Sequence, residues 1–151
     1  KKKQENNQLL TDGREVWTAK DGSTEITTYD DNGNAIKDVT KDKNGNLLSI
    51  TNYSYSADGK LTSAKLITYT EDKKVKFVED FSYENGHRKS SLMREYTADG
   101  NLVGIYKFTN GKKGAYIGQE VDASGNPIGE PWYKNSNNEE ITKEEYDKLQ
   151  E

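Results

Sequence analysis

The 151-residue chain reads as all-β: an antiparallel β-meander of about nine to eleven strands in a curled, repeat-built sheet, ended by a short C-terminal capping helix. Two observations predict this. The first is a recurring heptad. Tyr55-Ser-Ala-Asp-Gly-Lys-Leu61 returns as Tyr96-Thr-Ala-Asp-Gly-Asn-Leu102 and as Tyr29-Asp-Asp-Asn-Gly-Asn-Ala35. Tyr69-Thr-Glu-Asp-Lys-Lys-Val75 keeps the outline with Lys73 in the glycine slot. The unit starts at Thr18, Tyr29, Lys41, Tyr55, Tyr69, Tyr83, Tyr96, Phe108 and Val121, in steps of 11 to 14 residues. Such a step holds one strand and one tight turn, and is too short for a helix pair or a strand plus helix. The second observation is Asp-Gly or Asn-Gly between apolar runs, the strongest short-range hairpin signal, because glycine takes positive φ without a Cβ clash.

Taken in order, residues 1–8 are a flexible polar tether, 9–134 the β-hairpin repeat domain, and 135–151 a loop and helix. Leu9 and Leu10 start the ordered part, before an Asp12-Gly13 turn. Strands are predicted near 14–18, 24–29, 35–41, 47–55, 61–69, 75–83, 88–96, 102–108, 114–121 and 127–134, rich in Thr, Tyr, Val and Ile. Short turns pair each strand with its predecessor. Over Val75–Tyr83, alternation places Val75, Phe77, Phe81 and Tyr83 on one face with Glu79 as the exception. At the end, Asn135–Asn138 is loop. Thr142 and Glu145 form a capping box ahead of Tyr146 and Leu149, which with Ile141 make the buried stripe of a helix. Its expected role is to cap the array.

The turns come in two lengths. A three-residue loop such as Ala57-Asp58-Gly59, a type I turn closed by a left-handed glycine, sets Tyr55 opposite Leu61, Tyr96 opposite Leu102, Tyr69 opposite Val75 and Tyr29 opposite Ala35. A two-residue Asn-Gly loop sets Tyr83 opposite Arg88 and Phe108 opposite Lys113. Tyr55, Tyr69, Tyr96 and Phe108 are expected to be partly buried against these partners. Lys73 is expected to change its turn type and keep negative φ, since a left-handed lysine costs about 1–2 kcal/mol.

Composition bounds function. Leu, Ile, Val and Phe are sparse and ten tyrosines supply much of the apolar area, so the core is thin and much of the sheet is wet. There is no cysteine, hence no disulfide or thiolate chemistry, and no apolar run long enough to span a membrane. Net charge −4 with a pI near 5.2 argues against nucleic acid as a partner. The single histidine, His87, sits in a turn and leaves no catalytic triad or zinc set. Asp30–Gly33 and Asp42–Gly45 resemble calcium loops but have Thr28, Thr40 and Thr51 where acids are needed. Glu79 and Asp80 adjoin on a strand and point to opposite faces, so they are no glycosidase pair. No catalytic, cofactor or metal residue is assigned. A possible binding face is formed by Tyr53, Tyr55, Tyr69, Tyr83, Tyr96 and Tyr106.

Tyr29-Asp-Asp-Asn-Gly-Asn, Tyr55–Leu61 and Tyr96–Leu102 resemble the tyrosine-aspartate (YD, or RHS-type) repeat of bacterial surface and toxin-encapsulating proteins. Tyr83-Glu-Asn-Gly and Phe108-Thr-Asn-Gly-Lys-Lys-Gly are similar to MORN-type repeats, found in some bacterial antitoxin-like proteins. The resemblance covers residues 18 to about 127. It implies hairpins in a curled sheet, a scaffold and not an enzyme, and it carries no catalytic residue. By composition, the helix-capped sheet also resembles the single-layer sheets of some spirochaete surface lipoproteins. Lys1–Asn7, with no initiating methionine, is similar to the tether after a lipid-anchored cysteine, which predicts an extracellular or cell-surface location and a lipid anchor upstream of Lys1. The expectation is therefore a non-enzymatic bacterial repeat module, binding or structural, with a protein or glycan partner. Two alternatives stand beside it: an intracellular MORN-like antitoxin or immunity protein holding one protein partner, and a carbohydrate-binding or carbohydrate-active protein using the tyrosine face.

Overall fold

Among the described residues, twelve strands follow one another in a single open antiparallel sheet whose spatial order is the sequence order. The computed structural model describes residues 13–151 and the backbone of Asn6–Leu9. The strands are β1 (Asn6–Leu9), β2 (Arg14–Thr18), β3 (Thr24–Tyr29), β4 (Ala35–Lys41), β5 (Leu47–Tyr55) and β6 (Leu61–Tyr69). They continue as β7 (Val75–Glu84), β8 (His87–Tyr96), β9 (Leu102–Asn110), β10 (Tyr116–Val121), β11 (Pro127–Lys134) and the two-residue β12 (Glu140–Ile141). Helix α1 (Lys143–Leu149) ends the chain. The predicted all-β meander with one C-terminal helix is the observed architecture. Extensive contacts run only between strands adjacent in sequence and from α1 to β11, so the sheet is one layer thick. The tether expected over residues 1–8 partly lies outside the described residues. Where it is described, Asn6–Leu9 pairs with β2, because an edge backbone needs hydrogen-bonding groups and not apolar side chains. Leu10, Thr11 and Asp12 lie outside the described residues.

Eight turns share one design. In the turn after β3, the Asp30 N–H donates to Asn34 O at 2.8 Å and the Gly33 N–H to Asp30 O at 3.0 Å, with Gly33 at φ +81°. The same pair of bonds closes the turns starting at Ala19, Asp42, Ser56, Thr70, Thr97, Asp122 and Asn135. The first residue of the turn is polar for a reason. Asp30 Oδ1 accepts from the N–H groups of Asn32 and Asn34, and Asp42, Asp122 and Asn135 repeat the pattern. Thr70 and Thr97 use their hydroxyls. One residue past six of the hairpin turns the register slips: Tyr55 pairs with Leu61 but Ser54 with Ser63. The predicted pairs Tyr29–Ala35, Tyr55–Leu61, Tyr69–Val75, Tyr83–Arg88 and Tyr96–Leu102 are all present.

Three expectations are corrected. Lys73 does not leave the left-handed region: its φ is +63°, and the Thr70–Lys74 turn keeps both bonds of its sister turns. Thr70 and the sheet on either side fix the turn, so the lysine takes the conformation the frame imposes. Phe108 does not face Lys113 but Gly118. The loop after β9 runs from Gly111 to Ala115 because the helix docks there, with the Lys112 N–H donating to Gln150 Oε1 at 2.7 Å. A Cβ on Gly111 would lie 2.3 Å from the Tyr146 hydroxyl. Finally, Val75 does not share a face with Phe77, Phe81 and Tyr83. The register slip between Thr68 and Tyr69 turns it to the opposite side, where it lies with Val78.

The capping box is formed, Thr142 Oγ1 accepting from the Glu145 N–H at 3.1 Å and Glu145 Oε1 from the Thr142 N–H at 3.2 Å. Tyr146 is buried against Tyr133, their ring centroids 5.3 Å apart, and Leu149 is half-buried. Ile141 precedes the helix in β12, paired with Tyr133. The outer edge of β11 is covered by β12 only at Tyr133 and Lys134. Pro127 and Pro131, the chain's two prolines, stand on this edge, where a missing N–H discourages strand addition.

Candidate functional site

Register assigns every strand residue to one of two faces, and aromatic residues gather on one of them. Pairing runs Tyr53–Ala64–Phe81–Ser91–Phe108–Gly118–Trp132 across β5 to β11. Large and small residues alternate along this row. Neighbouring strands lie about 4.8 Å apart, so rings on alternate strands stand roughly 10 Å apart with a small residue between them. The rings lean over the small residues and bury them, Ala64 and Ser91 each being 5% exposed, and Phe81 between them is itself buried at 7%. At Gly118 the indole of Trp132 has closed the gap, since a Cβ there would lie 2.2 Å from the ring. Trp132 in turn meets Tyr106 and Phe108 edge-on at 6.3 and 6.2 Å, and Phe108 meets Tyr116 at 5.9 Å. Both tryptophans, all three phenylalanines and six tyrosines (29, 53, 55, 83, 106 and 116) belong to this aromatic face.

Of the six tyrosines expected to form one face, Tyr53, Tyr55, Tyr83 and Tyr106 do so, while Tyr69 and Tyr96 lie on the second face. Handedness explains the split. Successive turns sit at opposite ends of the sheet, and a rotation that reverses strand direction while preserving the left-to-right order of strands must exchange the faces. The same slot of the repeat therefore points to alternate sides. All six are half-buried, as is Phe108.

Polar groups are interleaved with the rings. The Tyr53 hydroxyl donates to Asp38 Oδ2 at 3.1 Å and Thr27 Oγ1 to Asp38 Oδ1 at 2.5 Å. Burial, with the Asp38 carboxylate beside it, pushes the Tyr53 phenol far above its ordinary value. The Tyr55 hydroxyl donates to Ala35 O at 2.7 Å. Glu79, the acid among the rings, accepts from the buried Ser91 hydroxyl at 2.6 Å. Arg88 lies over Phe81, its guanidinium carbon 4.2 Å from the ring centroid, although register pairs it with Tyr83. Glu79, Arg88, Ser91, Met93, Phe108, Asn110 and Tyr116 line a shallow depression of about 290 Å³.

An aliphatic row, Val16–Ile26–Val39–Ile50–Ile67–Val78, crosses the second face from β2 to β7 and resumes at Ile105 and Val121 beyond Arg94, with charged groups beside it. Asp80 stands between Lys65 Nζ at 3.7 Å and Arg94 Nη1 at 3.1 Å across three strands. Tyr96 there lines a groove with Val75 and Val78 between two turns. His87, expected in a turn, is the exposed first residue of β8, directly after the Asn85-Gly86 turn. Among the described residues no cluster of three or more His, Cys, Asp or Glu could hold a metal ion, and no helix is long and apolar enough to cross a membrane. No protein-family model matches the chain, and no curated protein matches it in sequence.

Proposed function

We propose that this chain is a non-enzymatic, cell-surface or extracellular bacterial repeat module that holds a ligand against its aromatic face. One observation carries the reading: a row holding the half-exposed rings of Tyr53, Phe108 and Trp132, with Phe81 buried among them, runs across seven strands of a single-layer sheet, and among the described residues no second layer covers it. Exposed contiguous apolar surface rimmed by polar groups marks interaction sites in soluble proteins. Tyrosine and tryptophan suit such a surface, giving large rigid contact area with a polar tip that tolerates water. The extracellular location and the scaffold role rest on the likeness to YD repeats.

The test compares faces. The chain is screened against immobilised glycans and against extracellular-matrix and bacterial envelope proteins. Tyr106→Ala and Phe108→Ala alter the aromatic face, and Arg94→Ala and Lys107→Ala alter the other. Binding lost with the first pair while their circular-dichroism spectra and melting cooperativity match the parent's, and kept with the second, supports the reading. Binding that depends only on the second pair, or no binding at all, refutes it. Antibody access on intact cells of the source organism tests the location.

A further inference from the structure

We infer that the depression at Ser91 is a binding site for one ring of a neutral saccharide. The inference rests on the aromatic-face reading and names its ligand class. The row of rings has three small-residue positions. At Gly118 the gap is filled by Trp132, and Ala64, between Tyr53 and Phe81, is 5% exposed. Ser91, itself 5% exposed, lies at the base of a depression whose walls include the polar side chains of Glu79, Arg88 and Asn110. Phe108 and Tyr116 supply one apolar side. The guanidinium plane of Arg88, laid on Phe81, supplies the other. Glu79 closes the end along β7 and Asn110 the opposite end along β9.

This set matches the two-sided chemistry of a pyranose. The C–H face of the sugar is apolar and lies flat on a ring, and its hydroxyl edge needs both donors and acceptors. Glu79 spends one carboxylate oxygen, Oε2, on Ser91, and its second oxygen is available as an acceptor. The guanidinium offers a planar fork of donors, held in place by Phe81, and Asn110 offers one donor group and one acceptor. Hydrogen bonds to charged groups are the stronger kind, so two vicinal hydroxyls bridged by Glu79 and Arg88 would dominate the polar part of the affinity. One carboxylate and one guanidinium cancel in charge, which selects a neutral sugar over a uronic or sialic acid. A zwitterionic amino acid would meet the same two charges only as exposed ion pairs, which contribute little in water. The depression accommodates one ring, and the half-exposed rings beyond it, Tyr106 and Trp132, continue the platform for a neighbouring residue of the chain.

The experiment is a heteronuclear NMR titration of the isotope-labelled chain with cellotriose, chitotriose, maltotriose and xylotriose, each to about 10 mM. Single-ring sites of this openness have affinities near a millimolar. The expected result is saturable shifts at Glu79, Arg88, Ser91, Phe108 and Asn110 with at least one trisaccharide. Glu79→Gln, Arg88→Ala and Asn110→Ala should each weaken that binding about tenfold, and Arg94→Ala should leave it unchanged. Asn110 lies on the exposed rim, so its variant keeps the test decisive if Glu79→Gln unfolds the sheet. Three results overturn the assignment: no trisaccharide shifts these resonances, the shifts fall elsewhere, or glycyl-phenylalanine binds the depression in preference to every sugar. If sugars fail while Phe108→Ala abolishes capture of a protein ligand, the saccharide assignment falls alone. If Phe108→Ala affects no binding of any kind, the aromatic-face reading falls with it.

Discussion

Lys73→Gly is expected to stabilise the protein, and the size of the effect follows from its turn. Lys73 sits at φ +63°, whereas the glycines in the equivalent slots of six sister turns sit between +81° and +87°. A side chain in the left-handed region costs about 1–2 kcal/mol from the Cβ–carbonyl clash. Glycine removes that clash but adds roughly 0.5–1 kcal/mol of chain entropy to lose on folding. The difference is a net gain of about 0.5–1 kcal/mol, or a rise of roughly 1–4 °C in melting midpoint for a chain of this length. The reciprocal change isolates the cause. Gly100 occupies the same slot at φ +83°, and a Cβ there meets nothing within 4 Å. Gly100→Lys should therefore destabilise by a similar amount through backbone conformation alone. Thermal and urea unfolding of both variants, followed by far-UV circular dichroism, gives the two numbers. A Lys73→Gly variant no more stable than the parent, beside a Gly100→Lys variant equally unchanged, would show that this slot carries no strain.

Four further outcomes follow from the geometry. Gly118→Ala drives a Cβ into the Trp132 ring, so about 1–3 kcal/mol of stability should be lost and the tryptophan emission should shift to the red. Tyr53 has a phenol pKa raised in the folded state, so its contribution is complete below the ordinary value of 10.0 and is lost as pH rises above it; the parent should lose more stability between pH 9 and 11.5 than Tyr53→Phe does. Thr142→Ala removes the N-cap acceptor and should cost about 1 kcal/mol of helix stability, read as faster amide exchange in α1 and at Lys112. Asp80→Asn breaks two partly exposed ion pairs and should change stability by no more than about 1 kcal/mol at low salt, with the difference shrinking as salt is added.

The strands were legible because the repeat has a short period and its turn residues are chemically distinctive. Gly33, Gly45, Gly59 and Gly100 each announced a turn, and counting outward from each gave the right cross-strand pairs. The polar residue that opens each turn was a missed signal: Asp30, Asp42, Ser56, Thr70, Thr97 and Asp122 all cap their turns, yet the position reads as variable because three residue types serve one purpose. Two failures came from tertiary context. The loop after Phe108 depends on the docked helix, nearly forty residues away, and the φ of Lys73 depends on a frame set by its neighbours. The site was legible only in part. Tyrosines at equal repeat positions suggested one face, and the handedness of the meander, which places Tyr69 and Tyr96 on the other, requires an argument about rotation and not about composition. Ser91 and Arg88 carry no motif, and their role is visible only when five strands are laid side by side.

The same rings serve stability and binding, and the small residues between them separate the two roles. A single-layer sheet has no opposing layer to bury its side chains, so cohesion must come from contacts within each face. Rings on alternate strands achieve this by leaning across Ala64, Ser91 and Gly118. Ring removal at Phe81 or Phe108 therefore costs packing as well as any ligand contact, and a binding loss in such a variant is ambiguous by itself. Enlarging a small residue acts differently at each position. At Gly118 it collides with Trp132, so stability falls. At Ser91, 5% exposed at the base of the depression, a larger side chain presses on the neighbouring rings, and one without a hydroxyl also loses the bond to Glu79. Ser91→Thr keeps that hydroxyl and adds one methyl group to the floor. Because Ser91 is 5% exposed, the extra methyl crowds the rings around it and should cost about 1–3 kcal/mol of stability. Saccharide affinity should drop as well, because the methyl raises the floor of the depression. Equal affinity in Ser91→Thr, measured by the same titration, would place the ligand elsewhere on the aromatic face.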